Sequence, residues 1–286
     1  MKSIGEILQK KKVPFDVKNF GGLGDDEFVK DEMIYCKNCG GARMFVNEFI
    51  QVRCICKCQA EKKQQEEEAR KEADRQKTIT QLQRASLIGD RYKDASFQNT
   101  ETGHNSSFDT AFLRCKKYCE VANTVLEKGM GIYLYGTKGT GKTHLTACMA
   151  NDLIQQQKQV LFTNFFEISK MLWATYNNPK ESMADCINKL ATIDFLFIDD
   201  LGTERVQATN GKELDLQGKI YDILNKRYSA KKPTIFSSNH FITELITERG
   251  ISDKTVDRIM EMSTAIIEIK GESYRFKKRT MDEVPF

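Results

Sequence analysis

The sequence predicts an α/β fold, a parallel sheet flanked by helices, with a small cysteine-rich unit preceding it. Three observations carry this reading. Beyond Ser86, helical segments alternate with short apolar runs at 131–135, 160–163, 195–199, 234–238 and 265–269, the pattern of buried parallel strands separated by helices. The first run, Gly131-Ile132-Tyr133-Leu134-Tyr135, passes directly into the glycine-rich stretch Gly136-Thr137-Lys138-Gly139-Thr140-Gly141-Lys142-Thr143. Five of the nine cysteines fall within residues 36–58.

At the N-terminus, Ile4, Ile7 and Leu8, followed by Lys10-Lys11-Lys12, allow one or two amphipathic turns, either a frayed end or a docking peptide. Residues 1–58 otherwise show little apolar periodicity. Cys36-Lys37-Asn38-Cys39-Gly40-Gly41 has the C-x-x-C-G form in which two thiolates from one tight turn grip a metal. Cys54-Ile55-Cys56-Lys57-Cys58 follows, and the residues between, 42–53, suffice for a hairpin that brings the second group beside the first. Four thiolates predict a tetrahedral, structural Zn²⁺ in a zinc-ribbon-like domain, held by four of Cys36, Cys39, Cys54, Cys56 and Cys58. An all-thiolate shell leaves no open position for catalysis; an iron–sulfur cluster is the alternative.

From residue 59 to 85 the chain becomes a Lys/Glu/Gln/Ala/Arg run with few apolar residues. This predicts a solvated helical linker between an N-terminal domain, 1–58, and a larger domain, 86–286. A hydrophobic content of 40% in 286 residues allows a real core. No apolar run approaches the roughly 20 residues that span a bilayer, and residues 1–6 lack the apolar core of a signal peptide, so the expectation is a soluble cytoplasmic protein without a membrane partner. An odd number of clustered cysteines fits metal ligation in a reducing compartment. The net charge of +4 permits nucleic-acid contact without demanding it.

Gly136, Thr137, Lys138, Gly139, Thr140, Gly141, Lys142 and Thr143 match G-x-x-x-x-G-K-[ST], in which backbone N–H groups curl around a β-phosphate and glycines supply the required φ values. Lys142 brings a point charge to the β/γ oxygens, Thr143 a hydroxyl for Mg²⁺, and a helix beginning near His144 its positive end. A nucleotide site follows. Phe195-Leu196-Phe197-Ile198 then ends in two carboxylates. Asp199 is suited to hold Mg²⁺ with Thr143, and Asp200 to polarise the attacking water, with Glu204 a second candidate. Thr234-Ile235-Phe236-Ser237-Ser238-Asn239 gives a further strand with a polar end. If it lies between the strands of the phosphate loop and Asp199, Asn239 faces the γ-phosphate; by periodicity alone it is equally a turn residue.

Gly136–Thr143, 195–200 with Leu201-Gly202-Thr203-Glu204, 234–239, Asp257-Arg258-Ile259 and Gly271-Glu272-Ser273-Tyr274-Arg275 together resemble the AAA+ helicase loaders of the DnaC/DnaI type, including phage versions, over about residues 90–280. The resemblance implies an AAA+ P-loop NTPase that hydrolyses ATP with Mg²⁺, associates with copies of itself, and delivers a replicative hexameric helicase onto single-stranded DNA. It makes Asn239 the sensor I residue, Arg258 an arginine finger acting on a neighbour's nucleotide, and Arg275 the sensor II arginine. Its zinc-binding partner domain is similar to residues 1–58, though the cysteine spacing matches loosely. Asp200 stands where many AAA+ proteins have Glu, a shorter arm that bears on unassisted hydrolysis. Ser273–Arg279 interleaves Tyr274 and Phe276 with four cations, either a base-stacking surface or a solvated basic tail. Two other classes share these motifs: an IstB-type transposition helper ATPase binding duplex DNA and a transposase, which usually lacks a cysteine domain, and a nucleotide-binding module with vestigial chemistry.

Overall fold

The computed structural model describes residues 16–46, 51–176, 182–202 and 216–274, and the chain divides into two compact units, Met1–Gln76 and Lys77–Phe286. The N-terminal segment around Ile4, Ile7 and Leu8 lies outside the described residues.

The N-terminal unit is built on two antiparallel hairpins. β1 (Glu27–Lys30) pairs with β2 (Met33–Cys36) through a two-residue turn in which Asp31 and Glu32 both take positive φ, 50° and 57°, the hand that suits a twisted ribbon. β3 (Met44–Val46) pairs with β4 (Gln51–Arg53), Met44 opposite Arg53, so the hairpin expected within 42–53 is present. The first hairpin had no sequence signal. Among the described residues of this unit, the buried apolar and cysteine side chains are Ile34, Cys36, Met44 and Cys56, and β1 shows no alternation of buried and exposed positions. α1 (Lys57–Ala85) follows, its surface carrying i,i+4 pairs such as Lys71–Glu67 at 2.9 Å. Exposed pairs of this kind contribute only a few tenths of a kcal/mol each.

In the C-terminal unit five strands form a parallel sheet in the order β6-β7-β8-β5-β9. They are β5 (Gly131–Tyr135), β6 (Val160–Thr163), β7 (Phe195–Leu201), β8 (Thr234–Ser238) and β9 (Ser263–Glu268). All five apolar runs are therefore strands. β7 continues two residues further than expected, and β9 begins two residues earlier and ends one earlier. The helices are α2 (Ser106–Glu120), α3 (Ala122–Lys128), α4 (Lys142–Gln155), α5 (Phe165–Tyr176), α6 (Met183–Thr192), α7 (Leu216–Ser229), α8 (Glu244–Thr247) and α9 (Asp253–Met262).

Strand side chains alternate between two cores. Ile132, Leu134, Phe195, Phe197 and Ile235 join residues of α2, α3 and α4, while Tyr133, Leu196, Ile198 and Phe236 join residues of α5, α6, α7 and α9. That double burial explains why these strands read as continuous apolar runs. Beneath the second core, Arg227 of α7 is fully buried, donating to Thr234 Oγ1 at 2.9 Å and to the carbonyls of Leu190, Ile193 and Pro233 at 2.9, 2.8 and 2.6 Å. It satisfies the open carbonyls where α6 ends. Among the described residues no helix is long and apolar enough to cross a membrane.

Candidate functional site

β5 hands over to α4 through residues 136–141. The helix expected near His144 begins at Lys142, with Gly141 as its N-cap. The closest approaches are at two of the loop's glycines: a Cβ on Gly136 (φ 148°) would lie 2.1 Å from the Ile269 carbonyl oxygen, and one on Gly139 (φ 83°) 2.0 Å from Ser273 Oγ. The segment after β9 runs against the loop. Ile269 N donates to the Tyr135 carbonyl at 2.8 Å, Thr137 Oγ1 to the Gly271 carbonyl at 3.0 Å, and Tyr274 N to the Gly139 carbonyl at 2.9 Å. Within the loop Thr140 Oγ1 donates to the Thr137 carbonyl at 2.9 Å, while Lys138 is exposed.

The Lys142 side chain lies inside this loop. Its ammonium donates to the carbonyls of Gly136 and Thr137 at 2.8 and 2.9 Å and to Asn239 Oδ1 at 2.9 Å. Asn239 in turn donates through Nδ2 to Asp200 Oδ1 at 3.0 Å. One amide thus joins the loop's cation to the second carboxylate. This follows from the strand order: β8 lies between β5 and β7, the condition under which Asn239 faces the loop.

Thr143 Oγ1 donates to Asp199 Oδ2 and Oδ1 at 3.0 and 3.2 Å. Ser237 Oγ donates to Asp199 and accepts the Asp200 N–H at 3.0 Å. The pairing of β7 with β8 shifts here, from Ile198 opposite Phe236 to Leu201 opposite Ser238, so Asp199 and Asp200 together face Ser237. The extra residue is a β-bulge, and Asp200 takes φ 57° within it. A bulge re-aims side chains that alternation would place on opposite faces. Burial pushes the Asp199 carboxyl above the usual carboxylate range; the Ser237 and Thr143 hydroxyls oppose that, and the charge of Asp200 adds to it.

Lys142, Thr143, Asp199, Asp200 and Asn239 are therefore brought together, and Ser237 with them. Ser237 had no role in the sequence reading. Its signal was there: a hydroxyl at an interior position of a core strand needs a buried partner. Arg258, on α9, is placed differently. It pairs with Glu261 and stacks on Tyr228 of α7, its guanidinium carbon 4.1 Å from the ring centre. Glu204, Arg275 and the basic positions 277–279 lie outside the described residues.

In the N-terminal unit the Sγ atoms of Cys36, Cys39, Cys56 and Cys58 all lie within 4.8 Å of one another. Cys36 and Cys56 stand 3.5 and 3.3 Å from Cys58. Sulfurs each about 2.3 Å from a tetrahedral Zn²⁺ stand about 3.8 Å apart, so the donor set fits that ion. Cys54 is outside the group, and its thiol donates to the Ala42 carbonyl at 3.6 Å. The buried Arg43 reaches two of the four: Nε donates to Cys56 Sγ at 3.4 Å and Nη2 to Cys36 Sγ at 3.3 Å. The Arg43 Nε bond draws the Cys56 thiol down to about 6, and the Gly41 N–H lowers Cys39; Cys58, hydrogen-bonded first to Cys56, is pushed up to about 12.

The family described as IstB-like ATP binding protein matches residues 64–282. Phage-like element PBSX protein XkdC of Bacillus subtilis is 28% identical over 255 residues, covering 87% of this chain and 86% of that protein. Replicative helicase loader DnaC of Escherichia coli is 26% identical over 206 residues, 71% of this chain and 79% of that protein, and replicative helicase loader DnaI of B. subtilis 28% over 221 residues, 72% and 66%. Among solved structures, the DnaC helicase loader superposes with a TM-score of 0.52 at 24% identity over 64% of this chain and all of that one. AMPPCP-bound DnaA from Aquifex aeolicus gives 0.50 at 24% over 67% and 54%. The fold is that of an AAA+ P-loop NTPase.

Proposed function

We propose that this chain, which belongs to the IstB-like ATP binding protein family, is an ATP-dependent loader that places a replicative hexameric helicase on single-stranded DNA in the cytoplasm. The observation that carries the reading is the bonded series Lys142, Asn239, Asp200, which gives the site a way to couple the state of the phosphates to the water-polarising carboxylate. The named helicase loaders among its relatives support the biological setting.

In this reading the loop N–H groups and Lys142 hold the β- and γ-phosphates, and Lys142 exchanges its carbonyl partners for phosphate oxygens. Thr143 and Asp199 would hold Mg²⁺, which would supply positive charge to the phosphates. Asp200 polarises the water that attacks the γ-phosphorus, ADP leaving, while Asn239 orients that water. Arg258 reaches the nucleotide of an adjacent copy after leaving Glu261, and Arg275 acts as sensor II within its own chain. Cys36, Cys39, Cys56 and Cys58 hold one structural Zn²⁺, and residues 1–58 dock the helicase, 59–85 linking them to the ATPase domain at 86–286.

A second reading is a transposition helper ATPase of the IstB type that binds duplex DNA and a transposase; the family description carries the IstB name. Capture experiments with the full chain separate the two. Retention of a purified hexameric helicase, with ATP hydrolysis responsive to single-stranded DNA, is the expected outcome; retention of a transposase alone, with response to duplex DNA only, replaces the loader by the helper. Mixing Lys142→Ala with Arg258→Ala chains tests action between subunits, because each supplies what the other lacks. Recovery of turnover is expected, and none in assemblies shown to be mixed removes that role from Arg258.

A further inference from the structure

We propose that Arg43 is the positioning residue and counter-charge of the cysteine centre, gripping two of its four sulfurs so that the zinc is held in a closed, exchange-resistant form. The proposal rests on the zinc reading of the cluster.

Arg43 is a cation with almost no contact with water, 5% exposed, in a unit with a very small core. A buried guanidinium persists only where its donors are matched, and here each edge of the planar group is used. One edge meets Asp26 in a bidentate pair, Nη1 to Oδ1 at 2.9 Å and Nη2 to Oδ2 at 2.6 Å, with Glu27 Oε1 3.1 Å from Nη1. Nε and the remaining reach of Nη2 meet Cys56 and Cys36. These two sulfurs come from the two separate cysteine groups, one on each side of residues 42–53, so a single planar group fixes the distance between them. Glu27 is itself held by Arg53 at 2.6 Å and by the Gly24 N–H at 2.8 Å. The backbone of Arg43 ties the two hairpins: its N–H donates to the Ile34 carbonyl at 2.7 Å, and its carbonyl accepts from Cys54 N at 2.9 Å.

Four thiolates on Zn²⁺ leave a net charge of about −2, confined in a small volume. A cation bonded to two of the sulfurs offsets part of that charge and withdraws electron density from the lone pairs that would otherwise attack an oxidant or exchange with a competing chelator. Lysine carries the same charge but cannot bond two sulfurs and a carboxylate in one plane. A merely structural Arg43–Asp26 pair would alter folding stability and leave the metal's spectrum and chemistry unchanged.

The test uses the full chain as wild type, Arg43→Lys and Arg43→Met, loaded with Zn²⁺ or with Co²⁺ as a spectroscopic probe. Three quantities are read: metal affinity by chelator competition, the energy of the thiolate-to-cobalt absorption band, and the rate at which peroxide releases zinc. Arg43→Met is expected to bind zinc about 10- to 100-fold more weakly, to move the band to lower energy because the sulfur lone pairs are no longer stabilised, and to release zinc faster. Arg43→Lys should fall between the two. Wild-type affinity, band and release rate in Arg43→Met overturn the proposal. If that variant does not fold, an Arg43→Lys chain with an unmoved band and unchanged release overturns it equally. A wild-type chain that purifies without zinc and takes up none refutes the cluster reading, and the role of Arg43 with it.

Discussion

Ser237→Ala isolates what the β-bulge contributes to the nucleotide site. The hydroxyl donates to the buried Asp199 carboxylate and accepts the Asp200 N–H at 3.0 Å, so its removal touches both carboxylates without deleting either. A hydrogen bond to a charged group is worth about 1.5–3 kcal/mol, which corresponds to about a 10- to 100-fold loss of Mg²⁺–nucleotide affinity if the whole of it is expressed. Thr143 still donates to Asp199 at 3.0 Å, and this places the expected loss toward the lower figure. The pH dependence gives a sharper signature. Burial already raises the proton affinity of Asp199, and the Ser237 bond opposes that rise. Mg²⁺ requires the ionised carboxylate, so affinity falls as pH drops through the Asp199 value. Without the hydroxyl that value moves higher and the fall begins at higher pH. Titration of a fluorescent ATP analogue with Mg²⁺ at several pH values between 5 and 8, for wild type, Ser237→Ala and the hydroxyl-retaining Ser237→Thr, measures it. A Ser237→Ala chain that loses affinity by the same factor at every pH would falsify the coupling of Ser237 to the charge of Asp199.

Lys142→Ala should lower ATP-analogue affinity by about a hundredfold or more, since a charge-assisted contact to each of two phosphates is lost, with the thermal transition of the chain retained; unchanged affinity rejects the site. Asp200→Asn keeps an acceptor for Asn239 and should bind ATP normally while turning it over about a hundredfold more slowly; turnover at the wild-type rate shifts the role to Glu204. Metal analysis should find one zinc per chain in wild type and in Cys54→Ser, and none in Cys58→Ser, because Cys54 lies outside the four-sulfur group; the reverse pattern reassigns the ligands. Arg227→Met strips the donors from the Leu190, Ile193 and Pro233 carbonyls and should cost about 3–5 kcal/mol, seen as a fall in Tm of roughly 10 °C. A melting curve superposable on wild type contradicts that account.

The two halves of the molecule were not equally legible. The hairpin across 42–53 was foreseen from the cysteine groups it joins, yet the hairpin of β1 and β2 was not, because Phe28 and Val29 are both partly exposed and leave no alternation to read. Nor did the order of residues distinguish Cys54 from its neighbours. Cys54-Ile55-Cys56-Lys57-Cys58 offers three thiols at spacing two, and the choice is made by the direction in which the chain leaves β4 and enters α1.

What the sequence by itself determined is whatever is written in consecutive residues. The phosphate loop is such a feature, since Gly136 to Thr143 carry their own φ requirements and charge, and the five strands are another, since burial on both faces makes each a continuous apolar run. Tertiary structure alone decided the rest. Lys142 meets Asn239 across 97 positions of chain because β8 inserts between β5 and β7, and a bulge turns Asp199 and Asp200 to the same neighbour, Ser237; the meeting of Thr143 with Asp199 was expected from their motifs. Arg43 and Ser237 escaped notice for the same reason: their partners are distant along the chain, and a local pattern records what a residue must avoid or bury, whereas only the packed sheet fixes which groups face one another.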